Sequence, residues 1–421
     1  MSEKLDDLWF DKLRSVSGHV DESIWLQDHI RIAHEERELF LDNEIENPRF
    51  SYRKGSEVNM APVQIEELRQ TLANSDTHTI VTDLYDKKLE KEVIRNSLIE
   101  ASLNGNDEEF FAQAVALYGK PRKKFFSYIA LRVGQLCDSY ETSFPMETKR
   151  LRKVMSKIST TDVEIDVTVL PPVNTTNESV ESIEQVIKVF QATLDRLEIN
   201  DWTLKVDDTS HRNRFSVDAF KKLVLLPNQE QLKNRASKLT TTQLEALAEH
   251  EIGVHARRAH EASKTSLNIL RIGLDDYLPG EEGLAGYVQQ QIEGAEEFYG
   301  FDRYLAACLA VGVDGVPRDF RAVFSLMTDY YSIKFKEDSV IDKAPFRAAW
   351  DVCVRIFRGT TGQTAGCIYT KDIVYMEGNI GIWNLLTEKP HVFESLFVGK
   401  FNPLITRHVR SLQTLEILKE W

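Results

Sequence analysis

The chain contains little cysteine, and the cysteines that it has are not spaced as pairs. Its four cysteines are scattered and form no Cys-x-x-Cys motif; they are Cys137, Cys308, Cys353 and Cys367. This pattern is typical of reduced thiols in a cytosolic protein, and it disfavours a disulfide framework or a thiolate zinc site. Any metal centre in this chain must therefore use histidine and carboxylate ligands.

Long apolar runs are also missing. The most apolar stretch, Leu305 to Val313, ends at Asp314 and is far shorter than the roughly 20 residues that cross a bilayer. The N-terminal residues from Met1 to Asp7 are mostly polar, and no apolar segment follows them as it would in a secretory signal. We therefore expect a cytoplasmic protein that has no membrane partner.

Positive charge is in deficit. The 421 residues include 66 acidic and 52 basic side chains, which gives a net charge of −14. Nucleic-acid binding requires basic surface that displaces counterions from phosphates, so we expect no nucleic-acid partner. A hydrophobic content of 42% is ordinary for a globular protein and allows one large domain and a smaller one. The oligomeric state stays open.

The hydrophobic pattern changes near residue 160. Before this point, segments such as Asp86–Leu103 carry apolar residues three and four positions apart, which predicts helices. After it, Val163–Leu170 alternates apolar and polar residues and is stopped by Pro171, which predicts a strand. We therefore predict an N-terminal helical domain over residues 1–160 and a second domain over residues 161–421.

The second domain is predicted to combine helices with a small sheet. The elements read from the pattern are a helix at Ser182–Leu197, a strand at Trp202–Val206, a hairpin of Arg214–Val217 with Lys222–Leu226, and a helix ending near Ala262. Thr241 or Thr242 is predicted to cap this last helix, with Glu245 completing a capping box. The predicted fold class is α+β, with a mostly antiparallel sheet packed on this helix.

Two histidines on this helix have an unusual spacing. Residues 250–255 read His-Glu-Ile-Gly-Val-His, so His250 and His255 are five positions apart. In the well-known zinc motif the histidines are four apart, about 40° around a helix, whereas five positions correspond to about 140°. One tetrahedral ion cannot bind both unless the helix has a local π-bulge. Gly253 lies inside the interval and tolerates such a distortion.

A carboxylate is needed beside these histidines. Open zinc sites usually have three protein ligands and a water, commonly two histidines and a glutamate. Residues 280–287 read Gly-Glu-Glu-Gly-Leu-Ala-Gly-Tyr at the start of an apolar-periodic segment. A glutamate at such a helix start is well placed to reach a neighbouring helix. Glu281 and Glu282 are both candidates for the third ligand.

Together, these motifs resemble those of the tyrosine/phenylalanine carboxypeptidase family. The likeness rests on His-Glu-Ile-Gly-Val-His, on Ser266–Leu274, and on Glu281-Glu282-Gly283-Leu284-Ala285, and it continues in Leu117–Pro121 and Thr370–Gly378. The family is known by a Gln-Glu-Gly-Leu-Ala motif and includes the microtubule-associated tyrosine carboxypeptidases. The resemblance implies a zinc metallopeptidase that releases a C-terminal Tyr or Phe from a peptide or protein.

The resemblance also assigns roles to single residues. It implies that His250, His255 and Glu282 bind Zn²⁺ and that Glu251 is the catalytic base. Zinc brings the pKa of bound water near neutrality, and the base passes the proton of this water to the leaving amine. The catalytic domain is then the predicted domain over residues 161–421.

The chain departs from the family pattern at two positions. The family's usual Gln is Glu281 here, so two adjacent carboxylates compete for the ligand role. A Thr that is common between the histidines is replaced by Val254, which removes a hydroxyl that could orient a ligand.

A carboxypeptidase also needs groups that bind its substrate. Tyr375 and Lys371 are candidate donors to the oxyanion. A terminal carboxylate is usually bound by an arginine or lysine, and Lys371 and Arg355 are stronger candidates than Arg358. We expect an apolar slot lined by aromatic residues next to this positive charge.

Two other functions stay open. The His-Glu-x-x-x-His motif also occurs in amino- and dipeptidyl-peptidases, so a zinc enzyme of that kind is one alternative. The other is a non-catalytic regulatory or partner-binding protein with a structural metal site. The presence of Glu251 favours catalysis, because a structural zinc needs no general base and normally has four protein ligands. The physiological substrate, tubulin or another protein, is not identified by the sequence.

Overall fold

Helices form most of the structure. The computed structural model describes residues 4–17, 23–52, 61–161, 163–174, 178–207, 215–233, 238–336 and 343–421. None of the helices described in these ranges has the length and apolar character needed to cross a bilayer. The helices before residue 160 are α1 (Asp7–Ser17), α2 (Ser23–Leu41), α3 (Ala61–Ala73), α4 (Thr79–Leu103), α5 (Asp107–Tyr118), α6 (Lys123–Tyr140) and α7 (Pro145–Met155).

The sheet and the remaining helices follow residue 180. The elements are α8 (Ile183–Arg196), β1 (Thr203–Asp207), β2 (Ser216–Asp218), β3 (Leu223–Pro227), α9 (Gln229–Lys233), α10 (Thr241–Ala248), a π-helical segment (Glu249–Ala256) and α11 (Arg257–Ala262). The last helices are α12 (Leu278–Glu293), α13 (Phe301–Val311), α14 (Phe320–Phe335), α15 (Ala344–Ile356), α16 (Ile373–Glu388) and α17 (Thr406–Thr414). Short 3₁₀ helices are found at Asn268–Arg271, Thr370–Asp372 and Pro390–Phe397.

The sheet has mixed strand directions. The strand order is β1-β3-β2, and β2 pairs antiparallel with β3, which confirms the predicted hairpin apart from Arg214, which lies outside the described residues. β1 is parallel to β3, with Thr203 opposite Leu223. The prediction of a mostly antiparallel sheet was therefore wrong. The chain between two parallel strands must return to the end of the sheet from which it started. Here β2 makes this return, because it follows β1 in the sequence and runs antiparallel to β3 at the other edge of the sheet.

The strand predicted at Val163–Leu170 is not formed. These residues run without strand pairing, and Val163, Ile165 and Val167 pack against a large hydrophobic core made mostly of helices. An extended segment that lies on helices buries every second side chain, as an edge strand does. The alternating pattern therefore predicted correctly which side chains are partly buried, but the prediction of a strand was wrong.

The sheet packs on the helix that carries the two histidines, as predicted. Val224 and Leu226 of β3 share a hydrophobic core with Phe190 of α8 and with Ile252 of the π-helical segment. The general α+β class is therefore confirmed, as a helix-rich fold with one small sheet.

The cap of this helix lies one residue earlier than predicted. The Thr240 hydroxyl accepts the backbone N–H of Gln243, and the Gln243 side chain accepts the backbone N–H of Thr240. Thr240 also forms an isolated β-bridge with Ser179, which holds it in the extended conformation that an N-cap needs. The predicted capping box with Glu245 was therefore wrong, because tertiary pairing selects the capping residue.

Two hydrophobic cores cross the predicted domain boundary at residue 160. One core joins Phe126 of α6 to Tyr304 of α13. The other joins Leu84 of α4 to Leu270 in the 3₁₀ helix that follows α11. The division into residues 1–160 and 161–421 stays a prediction, and the helices before the boundary pack directly on those that surround the histidines.

Helices α12 and α16 approach until their backbones touch. A methyl group at Gly283 would collide with the backbone of Gly378, and one at Gly378 would collide with the backbone of Pro279. Only glycine leaves room for this contact. Since the Glu281-Glu282 pair lies in α12 directly before Gly283, the contact helps to set the position of both carboxylates.

We expect Gly378→Ala to destabilise the protein by about 1–3 kcal/mol, because the added methyl group overpacks a contact made by backbone atoms. Urea unfolding monitored by circular dichroism measures this change. The matched control is Gly134→Ala in α6, where an added methyl group would meet no atom within 4 Å. The control should be neutral or stabilising by up to about 1 kcal/mol, since alanine is the better helix former. Equal stability of the two variants would show that the helices separate without cost.

Candidate metal centre

The predicted distortion of the helix is present between the histidines. Residues Glu249–Ala256 form a π-helical segment, which places His250 and His255 on one side although they are five positions apart. Their ring centroids are 5.0 Å apart, and the ring planes are inclined by 79°. A methyl group at Gly253 would collide with the Glu249 carboxylate unless that side chain moved. The prediction of a local π-bulge is therefore confirmed.

A carboxylate completes a group of three potential ligands. Glu282 Oε2 lies 3.9 Å from His250 Nε2 and 3.9 Å from His255 Nε2. One ligand atom from each of these three residues lies within 4.8 Å of the other two. Ligand atoms around a tetrahedral zinc, with bonds of about 2.1 Å, lie roughly 3.4 Å apart. The three side chains therefore fit a zinc ion after a small contraction.

Glu281 has a different position from its neighbour. Its Oε1 accepts a hydrogen bond from His255 Nδ1 at 2.8 Å, and it contacts Lys400 Nζ at 2.9 Å. Its Oε2 accepts a hydrogen bond from Arg258 Nη1 at 2.5 Å. Successive helical residues point about 100° apart, so one carboxylate faces the ligand group and the other lies behind it. The two carboxylates thus differ in position: Glu282 approaches the Nε2 atoms, and Glu281 approaches Nδ1 of His255.

Charge fixes the protonation of this group. Burial would raise the pKa of Glu281, but Lys400 and Arg258 hold it well below its usual range. Burial would also lower the pKa of His255, but the hydrogen bond and charge of Glu281 raise it overall. An ionised Glu281 therefore favours a proton on Nδ1 of His255 and leaves its Nε2 facing Glu282.

The pKa of His250 is shifted in the opposite direction from that of His255. Burial, followed by the neighbouring His255, lowers the pKa of His250 to about 3. The imidazole is therefore neutral at physiological pH, which is the form that binds metal ions. No proton needs to be displaced from this ring before it can act as a ligand.

The three ligand candidates line a cavity of about 430 Å³. Glu251, the predicted base, lines the same cavity, and the π-helical segment carries it beside the two histidines. The wall combines charged and polar side chains with aromatic and apolar ones; the latter are Phe215, Val217, Leu247, Tyr277, Leu278, Tyr299 and Tyr375. The predicted base, three potential ligands and a set of aromatic and apolar side chains thus line one cavity.

The structure brings two of the predicted substrate contacts to this cavity. Tyr375 and Arg355 both line it, and Arg355 Nη2 donates to the Tyr375 hydroxyl at 3.2 Å. Arg355 Nε also donates to the buried Asp372 at 2.9 Å. Burial, followed by the charge of Glu282, raises the pKa of Tyr375, so its hydroxyl stays protonated and able to donate.

The other two predicted contacts lie elsewhere. Lys371 lines a neighbouring cavity of about 460 Å³, which shares only Tyr277 and Leu278 with the first. Arg358 is paired with Asp372 at 3.1 Å and does not line the cavity of the histidines. Arg358 and Lys371 are therefore not brought together with the ligand group.

Sequence reasoning missed Arg303. This residue, in the first turn of α13, lines the cavity, and its guanidinium lies 4.7 Å from the Tyr375 ring centroid and 5.8 Å from that of Tyr299. Within the part of the chain that the structure describes, Arg303 has these ring contacts and forms no ion pair or hydrogen bond. No local motif marks it, because an arginine at a helix start is also an ordinary surface residue.

The fold and the cavity define a class of protein: a helix-rich α+β chain with a His-His-Glu group and a further glutamate, Glu251, in one cavity. The family model described as microtubule-associated tyrosine carboxypeptidase matches residues 37–420, nearly the whole chain. The chain therefore belongs to that family, which confirms the resemblance seen in the motifs. Membership implies tyrosine carboxypeptidase activity on the C-terminus of a peptide or protein. Neither a curated protein nor a solved structure matches the chain.

Proposed function

We propose that this protein is a zinc-dependent carboxypeptidase that releases a C-terminal aromatic residue, Tyr or Phe, from a peptide or protein. The observation that carries the proposal is the approach of Glu282 to the Nε2 atoms of His250 and His255, in the cavity that Glu251 also lines. This arrangement supplies two histidines, one carboxylate and a separate base, as open zinc sites of hydrolases do.

The side chains divide the chemistry among themselves. Bound zinc supplies Lewis acidity, which lowers the pKa of a water and polarises the scissile carbonyl. His250, His255 and Glu282 would hold the ion. Glu251 accepts the proton of the attacking water at its carboxylate and returns it to the leaving amine. The Tyr375 hydroxyl donates a hydrogen bond to the oxyanion that develops on the carbonyl oxygen.

The terminal carboxylate of the substrate needs a positive partner, and Arg303 is the best placed. Arg355 is already hydrogen-bonded to Asp372 and Tyr375, whereas Arg303 makes only ring contacts among the described residues. A guanidinium binds a carboxylate through two parallel hydrogen bonds. We assign the terminal carboxylate to Arg303, with Arg355 holding Tyr375 in position.

The shape of the cavity favours an aromatic residue at the substrate C-terminus. Tyr299 and Tyr375 have ring centroids 5.8 Å apart, and Leu247 and Leu278 add apolar wall. An aromatic side chain that enters such a slot buries a large apolar area and gains edge or offset ring contacts.

The proposal is tested with peptides that differ only at their ends. Purified, zinc-loaded protein is incubated with peptides that end in Tyr, Phe, Leu or Lys, and the products are identified by mass spectrometry. We expect release of Tyr and Phe, loss of release after C-terminal amidation, and no effect of N-terminal acetylation. Cleavage that depends on a free N-terminus would support an aminopeptidase. Zinc binding without release from any peptide would support a non-catalytic protein.

Replacing Arg303 should weaken binding of the substrate carboxylate. We expect Arg303→Met to raise KM for a Tyr-ending peptide about 10- to 100-fold, since a charge-assisted hydrogen bond is worth about 1.5–3 kcal/mol. The KM of Arg303→Lys should lie between those of the parent and Arg303→Met, because lysine keeps the positive charge and loses the paired donors of the guanidinium. Steady-state kinetics with mass-spectrometric detection measure both variants.

The control for this prediction is the substrate itself. Binding of the amidated peptide, measured as competitive inhibition, should be equally weak in the parent protein and in Arg303→Met. If the variant weakens the acid and the amide to the same extent, then Arg303 shapes the cavity and does not bind the carboxylate.

A further inference from the structure

The Nδ1 atom of His255 is oriented by a hydrogen bond to Glu281, whereas His250 has no comparable carboxylate partner among the described residues. Its Nδ1 atom is fully buried and has no partner at full hydrogen-bond geometry among the described residues. The same is true of Gln289 Oε1. A buried donor and a buried acceptor that are both unsatisfied are rare in native proteins, and each calls for a physical explanation.

The two atoms belong to side chains that interact. The Gln289 side chain lies within hydrogen-bonding reach of the His250 imidazole. Gln289 Nε2 donates to Glu293 Oε1 at 2.8 Å, so the amide oxygen is the end of this side chain that is able to accept from the imidazole. The donor and acceptor capacities of His250 Nδ1 and Gln289 Oε1 therefore complement one another.

Helix geometry explains why Gln289 is available. Gln289 follows Glu282 by seven positions in α12, which corresponds to two turns and a rotation of only about 20°. The face of α12 that presents a carboxylate to both Nε2 atoms therefore also carries Gln289, two turns further along. One rigid helix supports the ligand group at two levels.

We propose that Gln289 is a positioning residue for the metal centre: its amide oxygen accepts the Nδ1–H of His250 and so turns the Nε2 lone pair towards His255 and Glu282. This inference rests on the proposed zinc function. A metal ion on Nε2 requires the proton to be on Nδ1, and a slight closure of the ring onto Gln289 then satisfies both buried atoms.

The two histidines would then have different orienting partners. Behind His255, the charge of Glu281 is balanced by Arg258 and Lys400. Behind His250, a neutral amide supplies an acceptor without adding another buried charge. A second ionised carboxylate in the interior would carry a desolvation cost that only further buried cations could offset.

The test measures zinc affinity, which does not depend on turnover. We expect Gln289→Met, which keeps the length of the side chain and removes the acceptor, to weaken Zn²⁺ binding about 10- to 100-fold in competition with a chromophoric chelator. Co²⁺ substituted for zinc should show a shifted visible absorption spectrum, because the ligand field changes when one imidazole is no longer held. The control is Gln291→Met, an exposed position on the same helix, which should bind Zn²⁺ as the parent does.

A swapped pair separates positioning from packing. The double variant Gln289→Glu with Glu293→Gln keeps an acceptor towards His250 and a hydrogen bond between positions 289 and 293. Zinc affinity within about threefold of the parent or tighter supports the proposal, since outer partners act by orienting the ligand. A loss of affinity as large as that of Gln289→Met overturns it, as does unchanged affinity and spectrum in Gln289→Met.

The outcomes distinguish this inference from the function on which it rests. If the parent protein binds Zn²⁺ and releases Tyr while Gln289→Met binds equally well, only the role of Gln289 is rejected. If the parent binds no Zn²⁺, both are rejected. If Gln289→Met does not fold, the swapped pair decides alone by the affinity criterion already stated.

Discussion

Glu251→Gln is expected to lower kcat for release of a C-terminal Tyr by about 10²- to 10⁴-fold, the usual contribution of a general base. The amide has the size of the carboxylate and cannot accept a proton from water. Glu251 is not one of the three residues whose ligand atoms group together, so zinc content should be unchanged. Single-turnover kinetics and atomic absorption on the same preparation measure the two quantities.

The control for this variant is Glu245→Gln, an equivalent change at an exposed position of α10. It should leave both kcat and zinc content as in the parent. Full activity in Glu251→Gln would reject Glu251 as the base, whereas loss of zinc together with activity would make this residue a ligand.

The adjacent pair Glu281 and Glu282 should separate metal binding from stability. Glu282→Gln is expected to weaken Zn²⁺ binding by more than about 100-fold, because it replaces a ligand. Loss of a residue that only orients a ligand costs about 10- to 100-fold. The metal-free variant should unfold nearly as the parent does, since Glu282 has no ion pair with Lys or Arg among the described residues. Chelator competition and thermal unfolding without metal measure these two effects.

Glu281→Gln should show the reverse balance. It leaves Arg258 and Lys400 buried without their carboxylate, and breaking a buried ion pair costs about 3–5 kcal/mol. Zinc affinity should fall about 10- to 100-fold through His255. If Glu281→Gln proves the more damaging to zinc affinity and Glu282→Gln the more damaging to stability, then the two carboxylates have been assigned the wrong way round.

Part of this site could be predicted from the sequence because its signals are local. The five-position spacing of His250 and His255 is incompatible with a regular helix, so it predicts a distorted one, and a π-helical segment is present. The choice between Glu281 and Glu282 depended on the motif alone. Their side chains diverge through contacts with Arg258 and Lys400, and neither residue is close to them in the sequence.

The remaining features depend on tertiary contacts that no local pattern records. The segment at Val163–Leu170 alternates as a strand does, yet it lies on helices of the large core. Arg303 and Arg355 come from α13 and α15 and meet only because both helices pack around Tyr375. Lys371 lies in the 3₁₀ helix Thr370–Asp372, shortly before Tyr375 in the sequence. It nevertheless lines a different cavity.

The additional residue in the π-helical segment also sets the rotational phase of everything that follows it. Arg258 lies three positions after His255. Its guanidinium donates hydrogen bonds to Glu281 and, at 2.7 Å, to the carbonyl oxygen of Phe401. Deleting one residue between the histidines would recreate the commoner four-residue spacing, but it would turn α11 by about 100°. Arg258 would then face away from Glu281. A shorter motif could not be exchanged for this one by a single deletion, so the length of the motif and the buried arginine have to change together.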